Sequence, residues 1–397
     1  MKLHHPSLVI EIQKAGFINK GAQLMLLSVV SEIRELYPDA TIIMETTDIN
    51  GEQPFEEVVK IGAMPKAHLV VKGIDLSWLF NVIPGRILRR FGLVLERDID
   101  LLIDAAGFAY TSQWGNEPTK QLRDKIRRCR SNGTRIVLLP QAFGPFDTAE
   151  IKRHMADVLM SSDLIFARDK VSRASLYNLL PNQENVWLAP DFTNLMKGII
   201  PSYFNPDVHQ VCIVPNTRMI DKTSESAGTY IEFMKYIIEH LLRINSKPFI
   251  LIHESNDLML ANQIINSGLD VAIVNEDDPL VIKGIIGCSK LLIGSRFHSL
   301  VSGLSQGIPT IGTGWSHKYQ ELFEDYKWSE GLISLSIDKR ELVALINKIS
   351  DPIYAKELSS NLRNVASIER RKSKDMWSTV HSLISTIGHN SNFPDFK

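Results

Sequence analysis

The sequence predicts an α/β protein of two doubly wound, Rossmann-like domains facing each other across a cleft. Three features point to it. Apolar runs of strand length recur, segments long enough for crossover helices separate them, and the cycle starts afresh after the Pro- and Asn-containing stretch Pro201–Asp207. Strands alternating with helices in this way build parallel sheets from βαβ units.

The first series opens with the apolar run Ser7–Ile12, a loop holding Gly16 and Gly21, and an amphipathic segment from Ala22 to Leu36. Strands are expected next at Thr41–Met44, Leu101–Ile103, Ile136–Leu139, Leu164–Phe166 and Val186–Leu188, with helices over Lys120–Arg130 and Glu150–Met160. The second series predicts strands at Val211–Val214, Phe249–Ile252, Val271–Val274, Leu291–Ile293 and Thr310–Ile311. Its helices are expected over Thr229–Leu242, Leu258–Asn266 and His298–Gln306. From Lys339 the pattern is helical, with Trp377 and nearby Leu and Ile residues able to dock on a core. The 397 residues suit two or three domains at roughly 100–200 residues each. The expected division is 1–203 and 204–397, the second ending in the C-terminal helices.

Composition narrows the function classes. The 44 Lys and Arg balance 45 Asp and Glu, so no cationic excess exists to bind nucleic acid, and any anion must be held by a local cluster. Cys129, Cys212 and Cys288 are far apart with no metal-ligand spacing, so neither a zinc site nor a disulfide framework is expected. The first apolar run is too short for a signal peptide, and nothing approaches the ~20 apolar residues of a membrane span. A cytoplasmic protein is the expectation.

Ligands of open parallel sheets bind outside the carboxyl ends of the strands, and the unusual residues fall there. The first strand leads to Gly16-Phe17-Ile18-Asn19-Lys20-Gly21, which opens a helix whose amides suit an anion or sugar hydroxyls. Later strands lead to Asp104 and Gly107, to Gln141-Ala142-Phe143-Gly144-Pro145, to Arg168-Asp169 and to Pro190-Asp191. In the second half they lead to Asn216 and Arg218, to His253 and Asp257, to Gly294-Ser295-Arg296-Phe297-His298, and to Gly312-Thr313-Gly314 with Lys318 beyond. The Arg296–His298 turn is the sharpest signal: small Gly294 and Ser295 let a backbone come close while a guanidinium and an imidazole aim at one ligand. The structural alternative is that His298 caps a helix and Arg296 pairs with a surface carboxylate. Arg168 at a strand end needs an anionic partner if buried, and Asp191 is either a helix cap or a ligand contact.

Taken in order, these motifs resemble the polysaccharide pyruvyl transferase family. The likeness rests on Gly16, Asn19 and Gly21, on Gln141 to Pro145, on Ala167-Arg168-Asp169 with Ser172, and on Pro190-Asp191. It continues through Ile252-His253 with Asp257, Gly294 to Leu300, Gly307-Ile308-Pro309 and Lys318. The family's first loop often carries an acidic residue after its second glycine, where this chain has Ala22 and Gln23. The resemblance implies a glycosyltransferase-B-like pair of domains and transfer of pyruvate from phosphoenolpyruvate onto a sugar as a ketal. It implies Arg168, Arg296, Lys318 and Ser295 as phosphoenolpyruvate-binding residues. His298 would be the acid or leaving-group partner, Asp191 or His253 the proton acceptor, and Asn19, Gly21 and Gln141 acceptor contacts. No cofactor or metal is expected, because arginine forks can neutralise the donor's carboxylate and phosphate. The rivals are a glycosyltransferase or nucleotide-sugar epimerase of the same fold, and a catalytically silent binding protein. Finally, Leu76–Leu95 mixes Trp78, Leu79, Phe80, Val82, Ile83, Ile87, Leu88, Phe91 and Leu93 with Arg86, Arg89 and Arg90. It is either a core cover, a dimer contact, or a peripheral membrane contact serving a lipid-linked oligosaccharide acceptor.

Overall fold

The computed structural model describes residues 8–48, 51–68, 70–71, 74–75, 80, 83–221, 227–266 and 268–387. Ser7, Trp78, Leu79 and Val82 lie outside them. Two compact units are present. The first comprises residues up to Ile18, Met25–Asp191 and the chain from Lys374; the second comprises Asn19–Leu24 and Phe192–Ser373. This differs from the expected division at 203/204. Residues from Phe192 already pack with the second unit: Tyr326 donates to Asn194 and Lys283 to the Thr193 carbonyl. At the other end, Trp377 stacks on His381, which bonds Glu32 of the first unit.

The first unit is a seven-stranded parallel sheet in the order β3-β2-β1-β6-β7-β8-β9. Its strands are β1 (Val9–Gln13), β2 (Thr41–Met44), β3 (Met64–Pro65), β6 (Leu101–Asp104), β7 (Arg135–Gln141), β8 (Leu164–Ala167) and β9 (Val186–Leu188), and a short antiparallel pair, β4 (Val70–Val71) and β5 (Ile74–Asp75), stands apart. Helices α1 (Lys20–Leu36), α2 (Phe55–Lys60), α3 (Gly85–Arg90), α4 (Glu117–Ser131), α5 (Ala149–Ser161) and α6 (Lys170–Leu179) alternate with them. The central strands read as unbroken apolar runs because both faces are covered: every residue of β6 and β8 is buried. Local chemistry starts the helices, as where Thr148 accepts from the Ile151 amide at 3.2 Å and Asp169 from the Ser172 amide at 2.6 Å.

The second unit is a five-stranded parallel sheet in the order β12-β11-β10-β13-β14. It is built from β10 (Val211–Val214), β11 (Pro248–Ile252), β12 (Ala272–Asn275), β13 (Leu291–Gly294) and β14 (Thr310–Gly312). Helices α7 (Arg218–Asp221), α8 (Ala227–Arg243), α9 (Asp257–Ile265), α10 (Pro279–Gly287), α11 (Phe297–Ser305), α12 (His317–Asp325) and α13 (Lys339–Ser350) accompany it, and α14 (Pro352–Ile384) closes the described fold. α11 lies tightly on the sheet because of Gly303, where a Cβ would come within 2.6 Å of the Leu292 side chain. That contact fixes where the N-terminus of α11 meets the end of β13. Among the described residues no helix is long and apolar enough to cross a membrane.

In both sheets the strand order reverses beside the first strand of the unit, between β1 and β6 and between β10 and β13. Such switch points open a crevice at the strands' carboxyl ends. The first unit also carries a charge cluster that the sequence reading passed over. Glu11, inside β1 and fully buried, accepts from Lys125 at 2.7 Å and Lys66 at 3.3 Å, and both lysines also reach Glu45 and Glu96. Burial opposes the charge on Lys125, but the carboxylates more than offset it and hold its ammonium well above the ordinary value. Lys125→Met leaves buried carboxylate charge uncompensated; we expect a loss of about 3 kcal/mol or more, read as a lower urea midpoint at unchanged slope.

Candidate functional site

The second unit concentrates its polar residues at its switch point. Asn216 follows β10, His253 and Glu254 follow β11, Ser295 and Arg296 follow β13, and Thr313 follows β14; all are buried. The turn after β13 is fixed from every side. The Asn216 amide donates to the Ser295 carbonyl at 2.7 Å, and the Tyr319 hydroxyl donates to the same oxygen at 3.1 Å. The Ser295 hydroxyl lies 2.6 Å from that of Thr313 and 2.8 Å from that of Tyr230. Expected as a ligand contact, Ser295 instead spends its side chain on this internal network.

Arg296 is the N-cap of α11, and its carbonyl accepts from the amides of Ser299 and Leu300. Its guanidinium turns inward onto carboxylates. Nε donates to Asp257 Oδ2 at 2.8 Å, Nη2 to Asp257 Oδ1 at 2.6 Å and to Thr217 Oγ1 at 3.4 Å, and Nη1 to Glu254. A guanidinium has five N–H donors, so four have acceptors among the described residues. Burial disfavours the charge, yet the hydrogen bonds and charges of Asp257 and Glu254 raise the Arg296 pKa. The Nε and Nη2 edge of the fork is thus taken by Asp257. The alternative of a surface carboxylate partner does not hold, for Asp257 is fully buried and Glu254 nearly so.

His298 projects from the first turn of α11 and is partly exposed. Its neighbour is the first loop of the chain: a Cβ on Gly21 would sit 2.2 Å from His298 Nδ1, so glycine is required there. Asn19 caps α1, accepting from the Gly21 and Ala22 amides at 2.9 and 3.2 Å, while its Nδ2 donates to Glu254 Oε2 at 2.9 Å. Asn19 and Gly21, expected as acceptor contacts, thus pack with the second unit. Lys318 on α12 holds its ammonium 5.2 Å from the Phe297 ring, 5.1 Å from Trp315 and 5.5 Å from Tyr319, a cation held by aromatic faces. Two contributors were missed by sequence reasoning. Glu254 was overlooked beside His253, and Lys20 is a buried-stemmed cation 3.4 Å from exposed Asp277.

His253 is 5% exposed, and its Nδ1 has no hydrogen-bond partner among the described residues. Burial first, then the charges of Arg296 and His298, hold its imidazole well below the ordinary value. The ring is neutral at pH 7.

The remaining expected residues belong to the first unit. Arg168 is buried and its Nη1 donates to Asp191 Oδ2 at 3.3 Å; the anionic partner that its burial required is this carboxylate. Asp191, expected as a helix cap or proton acceptor, is thereby engaged in an ion pair. The neighbouring residues of that motif are structural: Asp169 caps α6, and the Ser172 hydroxyl accepts from the Phe143 amide at 2.9 Å, pinning the Gln141–Pro145 loop. Gln141 lies at the carboxyl end of β7. Its Nε2 donates to Asp104 Oδ1 at 3.0 Å, and its buried Oε1 has no partner among the described residues. Asp104, at the switch point, also accepts from Gln13 at 2.8 Å, Tyr110 at 2.6 Å and the Ala106 amide at 3.2 Å. Burial nevertheless raises its carboxyl pKa. Among the described residues no group of acidic, histidine or cysteine side chains is arranged to hold a metal ion.

The family model for polysaccharide pyruvyl transferases matches residues 19–317. No curated protein matches the chain in sequence. Solved structures do match in fold. Anabaena Alr3699/HepE in complex with UDP-glucose is 12% identical with a TM-score of 0.58, over 96% of this chain and 100% of that one. A putative UDP-N-acetylglucosamine 2-epimerase from Listeria monocytogenes is 10% identical with a TM-score of 0.62, over 98% and 100%. The S. aureus MnaA–UDP structure is 12% identical, also at 0.62, over 98% and 100%. At such identities the likeness is one of fold, which is α/β and glycosyltransferase-B-like.

His253 titrates with a definite sign. Above about pH 6.5 the imidazole is neutral in both folded and unfolded chains; below it the unfolded chain takes up a proton that the folded site refuses. Stability falls as the pH drops through that value. His253→Gln should therefore lose less melting temperature than the wild type between about pH 7.5 and 5.5; equal losses would contradict the buried neutral assignment.

Proposed function

The chain belongs to the polysaccharide pyruvyl transferase family, and from that premise we propose that it transfers pyruvate from phosphoenolpyruvate to two hydroxyls of a sugar. The products are a pyruvate ketal and phosphate. The observation that carries the reading is the Arg296–His298 turn at the second unit's switch point, where a buried cation and an imidazole leave one strand end together.

Phosphoenolpyruvate has a carboxylate and a phosphate and no base to stack, so cations and amide donors must hold it. In this reading Arg296 Nη1, the Asn19 amide and Lys318 attract the anion, and His298 donates to the bridging oxygen of the leaving phosphate. One proton is added to the enol methylene, which becomes a methyl group. A first sugar hydroxyl bonds to the former enol carbon, the carbon–oxygen bond to phosphate breaks, and a second hydroxyl bonds to the same carbon. The two hydroxyl protons balance the sum, one matching that gained by the methyl carbon and one leaving with phosphate. His253, neutral and with Nδ1 unengaged, takes a hydroxyl proton; burial first and the positive charges of Arg296 and His298 second depress its basicity, and the incoming anion offsets the second of these. Asp191 is less suited, since Arg168 already claims its carboxylate. The first unit offers the side-chain amide of Gln141, whose Oε1 is unengaged among the described residues and suits a sugar hydroxyl.

The test is incubation of candidate oligosaccharides with phosphoenolpyruvate, followed by mass and released phosphate. We expect a mass gain of one pyruvate ketal per phosphate released, and loss of turnover in Arg296→Ala; thermal stabilisation by nucleotide-sugars alone would favour a glycosyltransferase or epimerase instead.

A lipid-linked acceptor would bring the protein to a membrane surface. Ile87 and Phe91 are 44% and 75% exposed, one helical turn apart at the end of α3 beside exposed Arg90. Replacing Ile87 and Phe91 with serine should reduce co-sedimentation with anionic liposomes; no binding by the unaltered protein would end this part of the reading.

A further inference from the structure

Resting on that functional reading, we propose that Glu254 is a positioning residue that stands in for the donor: its carboxylate occupies the place on Arg296 that an anionic oxygen of phosphoenolpyruvate takes, and binding displaces it.

The two carboxylates around Arg296 are not equivalent. Asp257 belongs to the first turn of α9, has a fully buried side chain, and grips Nε and Nη2 along one edge of the guanidinium. The Thr217 amide and hydroxyl bind the same carboxylate at 3.0 and 3.3 Å. It is anchored. Glu254 lies on the turn between β11 and α9, and its side chain is 9% exposed. It meets the guanidinium through Nη1 alone.

A single oxygen, Glu254 Oε2, accepts both from Arg296 Nη1 and from Asn19 Nδ2. Two donors from distant parts of the sequence thus converge on one carboxylate oxygen. Remove Glu254 from that position and what remains is a two-donor seat for an oxyanion, with one guanidinium N–H beyond those already engaged. The charge count points the same way. Arg296 contributes one positive charge against two negative ones from Asp257 and Glu254, so an anion arriving while Glu254 stays in place meets a net negative cluster. Once Glu254 swings toward solvent, the pair left behind is neutral and no longer repels the incoming anion. The arrangement keeps the buried guanidinium paired in the empty site and makes Glu254 a competitor of the donor.

The test is Glu254→Gln, which keeps shape and hydrogen bonding but removes the charge. Titration calorimetry with phosphoenolpyruvate, on wild type and variant at matched ionic strength, reads the competition directly. We expect the variant to bind about tenfold tighter, the scale of one removed like charge near a partly exposed site. Its KM for phosphoenolpyruvate should fall in the same proportion. A purely structural role would lower the melting temperature and weaken binding, and a proton-transfer role would abolish kcat at unchanged affinity; either result overturns the proposal. If the wild type binds phosphoenolpyruvate and Glu254→Gln binds it no better, the stand-in role fails and the pyruvyl-transfer reading survives. If neither protein binds it, both fail.

Discussion

A guanidinium clasped between two carboxylates governs the carboxyl edge of the second sheet. Arg296 cannot be buried there without anionic partners, because desolvating an unpaired charge costs several kcal/mol. Asp257 and Glu254 supply them, and their placement dictates the rest. Asp257 must open α9, so the turn after β11 has to carry His253 and Glu254 into the same space. The backbone that delivers Arg296 is held by Asn216, Tyr319, Tyr230 and Thr313, and Gly303 lets α11 settle close enough for His298 to follow. Each of these contacts has a small energy. Their joint effect is a turn with one geometry.

The first sheet solves the same topological problem with different chemistry. Its switch point is occupied by a carboxylate held by amides and a phenol, with no cation in direct contact among the described residues. Neutral donors stabilise the charge of Asp104 less than an arginine would, and burial keeps its pKa raised. Deeper in the same unit, the Glu11, Lys66 and Lys125 cluster concentrates ionic interactions next to β1, where an apolar residue would have been the simpler choice.

Much of this was legible in the sequence. Thr41–Met44, Val186–Leu188 and Val211–Val214 are strands with the expected ends, and the other main strands shift by a residue or two; a run buried throughout, such as Val211–Val214, carries an undiluted apolar signal. Short or weakly patterned elements escaped: β3 has two residues, and α10 is so thoroughly buried that its apolar residues show no helical stripe. The division at 203/204 was drawn from a Pro- and Asn-containing segment, but the packing that decides it involves Lys283 and Tyr326, which are remote in sequence. The site was legible as a set of positions and not as a set of roles. Strand ends located Arg296, His298, His253 and Arg168, since topology alone puts them there. That Ser295 braces a turn, that Ser172 pins the Phe143 loop, and that Arg296 is already engaged depend on side-chain directions that spacing does not encode.

We propose that the second unit's switch point, around Arg296, receives the anionic donor. A crystal structure with phosphoenolpyruvate bound tests it most directly. The expected result is a donor oxygen within hydrogen-bond distance of Arg296 Nη1 and Asn19 Nδ2, the phosphate beside His298, and the Glu254 carboxylate turned away. A donor seated elsewhere, with Arg296 still joined to both carboxylates, would contradict it.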